Sequence, residues 1–294
     1  MSAARPILGH IRFSFFGSTD TRLHLADGEE GIATLYEDAR MARRFHLFER
    51  LTLPSLRAQS DKDFRIVVLT SDVMPTRYQD RLRAITADDA FIHLEFSAQR
   101  TGRRGLAPFI RQSLGADGMG TAVHFRLDDD DALANDYIAR LRAIAAVCAP
   151  RTHISFPYGI ALFPTTPGSS EGTAIPERHL LPSPGLAIVL GEGFAKNPFQ
   201  MKHGSVWERW PVMSDPTYPA YIRTHHQHND TVLRQDKVLA GLRNMAQGRH
   251  AGDLAAMTDQ ILAERFPFIT RPDLTGLLAD LAIIETVRDL PAVA

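Results

Sequence analysis

The stretch His124-Phe125-Arg126-Leu127-Asp128-Asp129-Asp130-Asp131-Ala132-Leu133 decides how the chain is read. Thr121 to Leu127 is a short apolar run of the kind that forms a buried strand. It runs directly into four consecutive aspartates, and an apolar pattern resumes at Leu133. Adjacent carboxylates repel one another, and such a run ordinarily lies in a charged tract where water solvates it. Here it stands at the end of a strand, which in open α/β sheets is where ligands bind. Carboxylates gathered there call for a counter-charge. A hard divalent cation such as Mg2+ or Mn2+, itself clamped to a phosphate, supplies one. A solvated acidic turn is the plain alternative.

Working outward, the N-terminal half alternates strands and helices. Ile7 to Phe16 reads as the first strand and closes on the turn Gly17-Ser18-Thr19-Asp20. A helix is predicted over Ala33 to Leu51, ended or kinked by Pro54. Phe64 to Leu69 is a continuous β-branched run, as in a strand buried on both faces of a parallel sheet. Pro75 opens a helix reaching about Ile85, and Phe91 to Phe96 is a third strand. Arg100-Thr101-Gly102-Arg103-Arg104-Gly105 reads as a basic loop before a short helix, Leu106 to Leu114. Another helix, Asn135 to Val147, follows the aspartates. This order predicts right-handed βαβ units and an α/β fold with a mostly parallel central sheet flanked by helices.

The second half is more irregular. His153 to Phe163 reads as two short strands around Pro157, and Leu186 to Leu190 as another strand. Pro164 to Pro184 reads as a long proline-rich loop, a candidate lid. Thr217 to Thr224 leads into His225-His226-Gln227-His228-Asn229-Asp230, and helical patterns close the chain over 231–246, 253–263 and 273–289.

The 294 residues allow one large α/β domain. We read 1–294 as one unit, with its character changing near residue 150. A net charge of −1 argues against a nucleic-acid-binding surface. The one cysteine, Cys148, excludes an internal disulfide and a thiolate metal site. No leader pattern and no run of about 18 apolar residues is present, so a cytoplasmic protein without a transmembrane span is expected, with room for peripheral membrane contact.

At this point the residues resemble a known family. Leu53-Pro54-Ser55-Leu56-Arg57-Ala58-Gln59, leaving a helix and entering the strand Phe64 to Leu69, is similar to glycosyltransferases of the type-A (GT-A), nucleotide-diphospho-sugar transferase fold. Arg126-Leu127-Asp128-Asp129-Asp130-Asp131 resembles their metal-binding D-x-D motif. The nearest likeness is to the bacterial putative rhamnosyltransferase family, with Arg12-Phe13 matching its first strand. The likeness covers about residues 7–140.

The resemblance implies a glycosyltransferase that takes a nucleoside-diphosphate sugar donor and a glycan or lipid-linked acceptor, with Mn2+ or Mg2+ as cofactor. It implies a nucleotide-sugar half over 1–150, an acceptor half over 151–250 and C-terminal helices over 251–294. Asp130 would hold the metal, Asp128 the metal or the ribose, and Asp131 the metal or donor sugar. Arg12, Ser71 and Asp72 would lie beside the nucleotide. A late histidine, His225 or His228, would complete the metal sphere; the alternative is a surface loop with Asn229 or Asp230 capping a helix. Arg103 and Arg104, together with the N–H groups of the helix after them, are placed to meet diphosphate oxygens, or else form a solvated loop. Asp72 and Ser71 equally suit a helix cap. Arg12, in an apolar strand, calls for a carboxylate partner. An inverting transfer needs a base. Glu192, Glu208, Asp215 and Asp230 are candidates, with Asp215 and Glu208 favoured. Two other readings stay open: a metal-dependent nucleotidyltransferase or phosphohydrolase, although no G-x-x-x-x-G-K-[ST] loop is present, and a binding protein that has lost catalysis.

Overall fold

The apolar runs form the middle of a seven-stranded sheet. The structure is a computed structural model and describes residues 5–17, 28–115, 122–166, 169–190, 199, 203–225 and 232–286, with backbone alone over 231–237 and 282–286 where those ranges overlap. β1 (Ile7–Arg12), β2 (Arg65–Ser71), β3 (Ile92–Ser97) and β4 (Val123–Asp128) lie in the order β3-β2-β1-β4, all parallel. β9 (Ala187–Val189) pairs antiparallel to β4 and to β6 (Thr152–Ser155), and β10 (Val212–Ser214) forms the far edge, parallel to β6. The carboxyl ends of β6 and β10 therefore point the same way as that of β4.

Among the described residues there is a second sheet, which the sequence pattern did not predict. It holds β5 (Ala132–Leu133), β11 (Pro219–Thr224), β7 (Tyr158–Pro164) and β8 (Gly172–Arg178), in the order β5-β11-β7-β8. The aspartate run is the link through which the chain leaves the first sheet at Asp128 and enters the second at Ala132. β8 corrects the reading of 164–184 as a loop. Its residues 174–177 are buried, and it runs antiparallel to β7. Pro176 is tolerated because β8 is an edge strand, where a missing N–H costs no ladder bond.

The helix predicted over 33–51 is divided into α1 (Glu29–Leu35) and α2 (Asp38–Leu47). A π-helical turn over 48–52 then joins α2 to α3 (Leu53–Arg57). Pro54 does not end the helix: the backbone stays right-handed helical from α2 through the π turn into α3. α4 (Thr76–Ile85), α5 (Gly102–Leu114) and α6 (Tyr137–Val147) follow their strands. α7 (Val232–Gln247), α8 (Ala251–Arg265) and α9 (Arg271–Thr286) close the fold, near their predicted positions.

Strand alternation divides the core. Ile7, Ile11, Ile66, Val68, Val123, Phe125 and Leu127 pack with Phe45, Phe48 and Leu56 in the largest cluster. Leu8, Val67 and Leu69 pack with Leu106, Phe109 and Ile110 of α5. Each such side chain contributes about 1.5–3 kcal/mol on burial. The same period of two puts His10, Arg12, His124, Arg126 and Asp128 on the α5 face of β1 and β4, where His10 is level with Arg126 and Arg12 with Asp128. Apolar packing ends at the top of that face, and a polar column leads to the carboxyl edge.

Candidate active site

The link between the sheets sorts the aspartates. The Asp128 side chain is 32% exposed and accepts from Ser183 Oγ at 2.6 Å and Arg126 Nη2 at 3.3 Å. Burial opposes its ionisation, but the charges of Arg126 and Arg12 and these hydrogen bonds outweigh it and hold the carboxyl down at about 2. Asp130 is half-buried. Asp129 and Asp131 are both 3% exposed and committed to the scaffold. Both Asp129 oxygens accept from Arg44 Nη1 of α2 at 2.5 Å. Burial pushes the Asp129 carboxyl up to about 6, against the pull of Arg44 and with the repulsion of Asp130. Asp131 Oδ1 accepts the Thr224 N–H at 2.9 Å, and burial with the charges of Asp130 and Asp128 raises its pKa well above the usual range. Asp131 is thus a buried brace for β11, not a carboxylate open to a donor sugar.

Arg12 and Arg126 bring two guanidinium groups to Asp128. Their carbons lie 4.3 and 4.9 Å from the centre of the Phe199 ring. Arg12 thus has the carboxylate neighbour expected for it. Arg126 is 5% exposed, and its Nε has no hydrogen-bond partner among the described residues. His203 opens the 3-10 turn His203–Glu208 beside this group. Burial first, then the Arg126 charge, lowers its imidazole to about 4, with Asp128 pulling the other way. Sequence reading missed His203, because nothing local ties it to an aspartate 75 residues earlier in the chain.

The residues that the resemblance assigns to the nucleotide, Arg12, Ser71 and Asp72, lie at the carboxyl ends of β1 and β2. The Ser71 hydroxyl is spent on Phe16, accepting its N–H at 2.8 Å, so Ser71 shapes the loop after β1. The Asp72 side chain is 43% exposed and pairs with Arg100 at 3.4 Å. Neither residue caps α4, whose N-cap is Pro75 without a side-chain bond. Arg103 and Arg104 lie in the first turn of α5, not in a loop before it, because Thr101 caps the helix and accepts the Arg104 N–H. With Thr101 they line an open cavity of about 600 Å3. Cations are disfavoured at a helix N-terminus, so two of them there raise the attraction for an anion.

The late residues divide. His225 is 6% exposed, and its Nε2 accepts from Arg223 Nε and Nη2 at 3.1 and 3.0 Å. That nitrogen is thus engaged by the Arg223 guanidinium. Arg223 also pairs with Glu177 of β8, a buried carboxylate raised by desolvation. His228, Glu192 and Asp230 lie outside the described residues. Asp215, expected in an exposed loop, has a side chain only 13% exposed and bound to Arg140 at 2.6 Å. It directly follows β10, three strands from β4 and so roughly 14 Å to the side. Glu208 is exposed and ends the turn that His203 opens, roughly 10 Å along it.

Among the described residues no three His, Cys, Asp or Glu side chains converge closely enough to hold a metal ion by themselves. Asp128 and Asp130 still fit a divalent cation of the Mg2+ or Mn2+ kind. Such ions are held by one or two carboxylates and complete their sphere with water and substrate phosphates.

Residues 6–237 match the family described as "Putative rhamnosyl transferase". No curated protein matches. Among solved structures, the chain is similar to S. aureus TarS 1-349 in complex with UDP-GlcNAc, at 12% identity and TM-score 0.40, covering 88% of this chain and 73% of that one. It is also similar to the mannosyltransferase PcManGT from Pyrobaculum calidifontis in complex with GDP-Man and Mn2+, at 12% identity and TM-score 0.43, covering 99% and 78%. A third likeness is to a protein of Desulfovibrio desulfuricans G20 described as a "putative nucleotide-diphospho-sugar transferase", at 10% identity and TM-score 0.39, covering 98% and 99%. The match over 6–237 spans well over half of the chain, which therefore belongs to the putative rhamnosyl transferase family of glycosyltransferases.

Proposed function

We propose that the protein is a metal-dependent glycosyltransferase, moving a sugar from a nucleoside-diphosphate donor to a glycan or lipid-linked acceptor. The observation that supports this reading best is the sorting of the aspartate run: Asp129 and Asp131 are bound inward, and Asp128 and Asp130 are left at the carboxyl edge beside Arg12 and Arg126. Rhamnose as the transferred sugar rests on the family's description alone.

Each residue then has a task. Asp128 and Asp130 would hold Mn2+ or Mg2+, which supplies Lewis-acid neutralisation of a leaving diphosphate. Arg126, with its buried Nε, and Arg12 meet the same negative charge from the protein side. Arg103 and Arg104 extend that field to the cavity at α5. Asp72 and Arg100 stand where a nucleoside would lie, at the end of β2. In an inverting transfer the acceptor oxygen attacks the anomeric carbon as the bond to the diphosphate oxygen breaks. The acceptor proton passes to a carboxylate, for which Glu208 is the better placed of the two favoured groups, because Arg140 holds Asp215. A retaining transfer needs no such base.

A thermal-shift screen with UDP, GDP, dTDP and CMP, each with and without Mn2+, tests the reading on wild type and Asp130→Asn. Binding to the native state at a hundredfold excess over Kd stabilises by about 2.7 kcal/mol. The expected result is a Mn2+-dependent shift with one nucleotide, lost in the variant. No shift with any nucleotide would overturn it.

A further inference from the structure

We infer that helix α2 positions the donor site, with Arg44 acting through Asp129 to decide which aspartates of the run face the ligand. This rests on the metal reading above. Arg40 and Arg44 are four residues apart, so they project from one face of α2. Arg40 Nη1 donates to Ser14 Oγ at 3.0 Å and to the Leu35 carbonyl at 2.9 Å. Ser14 follows β1 and has a left-handed φ of 46°, so the chain turns sharply there. Arg44 grips Asp129 just after β4. A single helix face therefore holds the ends of β1 and β4, the two strands that carry Arg12 and Asp128.

The consequence at the aspartates is a matter of charge. Four carboxylates in sequence cannot all face one pocket without strong mutual repulsion. Arg44 removes one of them by pairing it on the far side, and the Thr224 N–H removes another. Asp128 then lies on the α5 face of β4, away from Arg44, and Asp130 is half-buried between the two buried carboxyl groups. Without Arg44, the buried Asp129 carboxylate keeps only the weaker pull of Arg40, which is costly. It is relieved when Asp129 swings outward, and the peptide units that aim Asp128 and Asp130 move with it. Arg44 acts on the site through Asp129, so it is a positioning residue.

The experiment compares wild type, Arg44→Met, Asp129→Asn and the double variant. Mn2+ binding is read by electron paramagnetic resonance in the presence of UDP or GDP, and folding by circular dichroism. Groups that orient a metal site typically change its affinity by roughly ten- to a hundredfold. Arg44→Met should weaken Mn2+ binding by that factor. The double variant, which removes both charges together, should recover to within about threefold of wild type. Recovery is a readout that loss of folding alone would not give, and it holds the test open if Arg44→Met itself unfolds. Undiminished binding in a folded Arg44→Met overturns the inference. So does a folded double variant that binds no better than the single one, since Asp129 would then be needed for itself. Absence of Mn2+-dependent binding in wild type overturns the metal reading, and this inference with it.

Discussion

Thr224 donates its backbone N–H to Asp131 Oδ1 at 2.9 Å, and its hydroxyl donates to the Asp130 carbonyl at 3.0 Å. One residue at the end of β11 thus pins the link between the two sheets. The buried Asp131 carboxylate is tolerable because it has this donor.

Thr224→Val keeps the backbone bond and loses the hydroxyl bond. We expect a loss of about 1–2 kcal/mol, with a buried carbonyl left short of a donor. Urea denaturation measures it. A midpoint equal to that of wild type would show that the Asp130 carbonyl finds another partner.

Glu208→Gln and Asp215→Asn separate the two favoured bases. Glu208→Gln should lower kcat by about 10²- to 10⁴-fold without affecting the melting temperature. Asp215→Asn should keep most activity and cost about 0.5–1 kcal/mol, because its partner Arg140 is half-exposed. The reverse pattern, an inactive but stable Asp215→Asn, would transfer the role to Asp215.

His153 gives a pH dependence. Its ring is 3% exposed and stacked on Trp210 with centroids 5.6 Å apart, and burial holds it down at about 4, well below 6.5. Between those values the unfolded chain binds the proton and the native state does not. The stability from neutral His153 is therefore complete above about pH 6.5 and is lost as pH falls toward 4. From pH 7 to pH 5 the loss is about 2 kcal/mol. Subtracting the pH profile of His153→Gln from that of wild type isolates it. Parallel profiles would refute it.

Gly9 lies where β1 is most crowded. A Cβ there would come within 2.2 Å of Ile66 Cδ1 and 2.4 Å of Phe125 Cζ. Gly9→Ala should cost about 1–3 kcal/mol through overpacking. Adding Ile66→Val removes the closer atom, so the pair should recover part of that loss. Thermal unfolding compares them, and no recovery would place the strain on Phe125 instead.

What local pattern could say about this chain, it said early. The continuous apolar run at 64–69 marked a strand buried on both faces, the short apolar run at 121–127 marked another, and the aspartates at 128–131 stood at its end, because side-chain period and burial are read within a few residues. The three closing helices were legible for the same reason. β8 was hidden because Pro176 reads as a loop residue until an edge position makes it harmless. The division of the aspartates was not legible at all. Asp129 is turned by Arg44, 85 residues away, and Asp131 by Thr224, 93 residues away. Asp215 was drawn to Arg140, 75 residues away, and His203 was carried to Asp128. The sequence by itself determined the parallel strands of the first sheet, most of the helices and the presence of carboxylates at a sheet edge. Tertiary structure alone decided which of those carboxylates face outward, because charge pairing acts through space between groups that local periodicity never brings together.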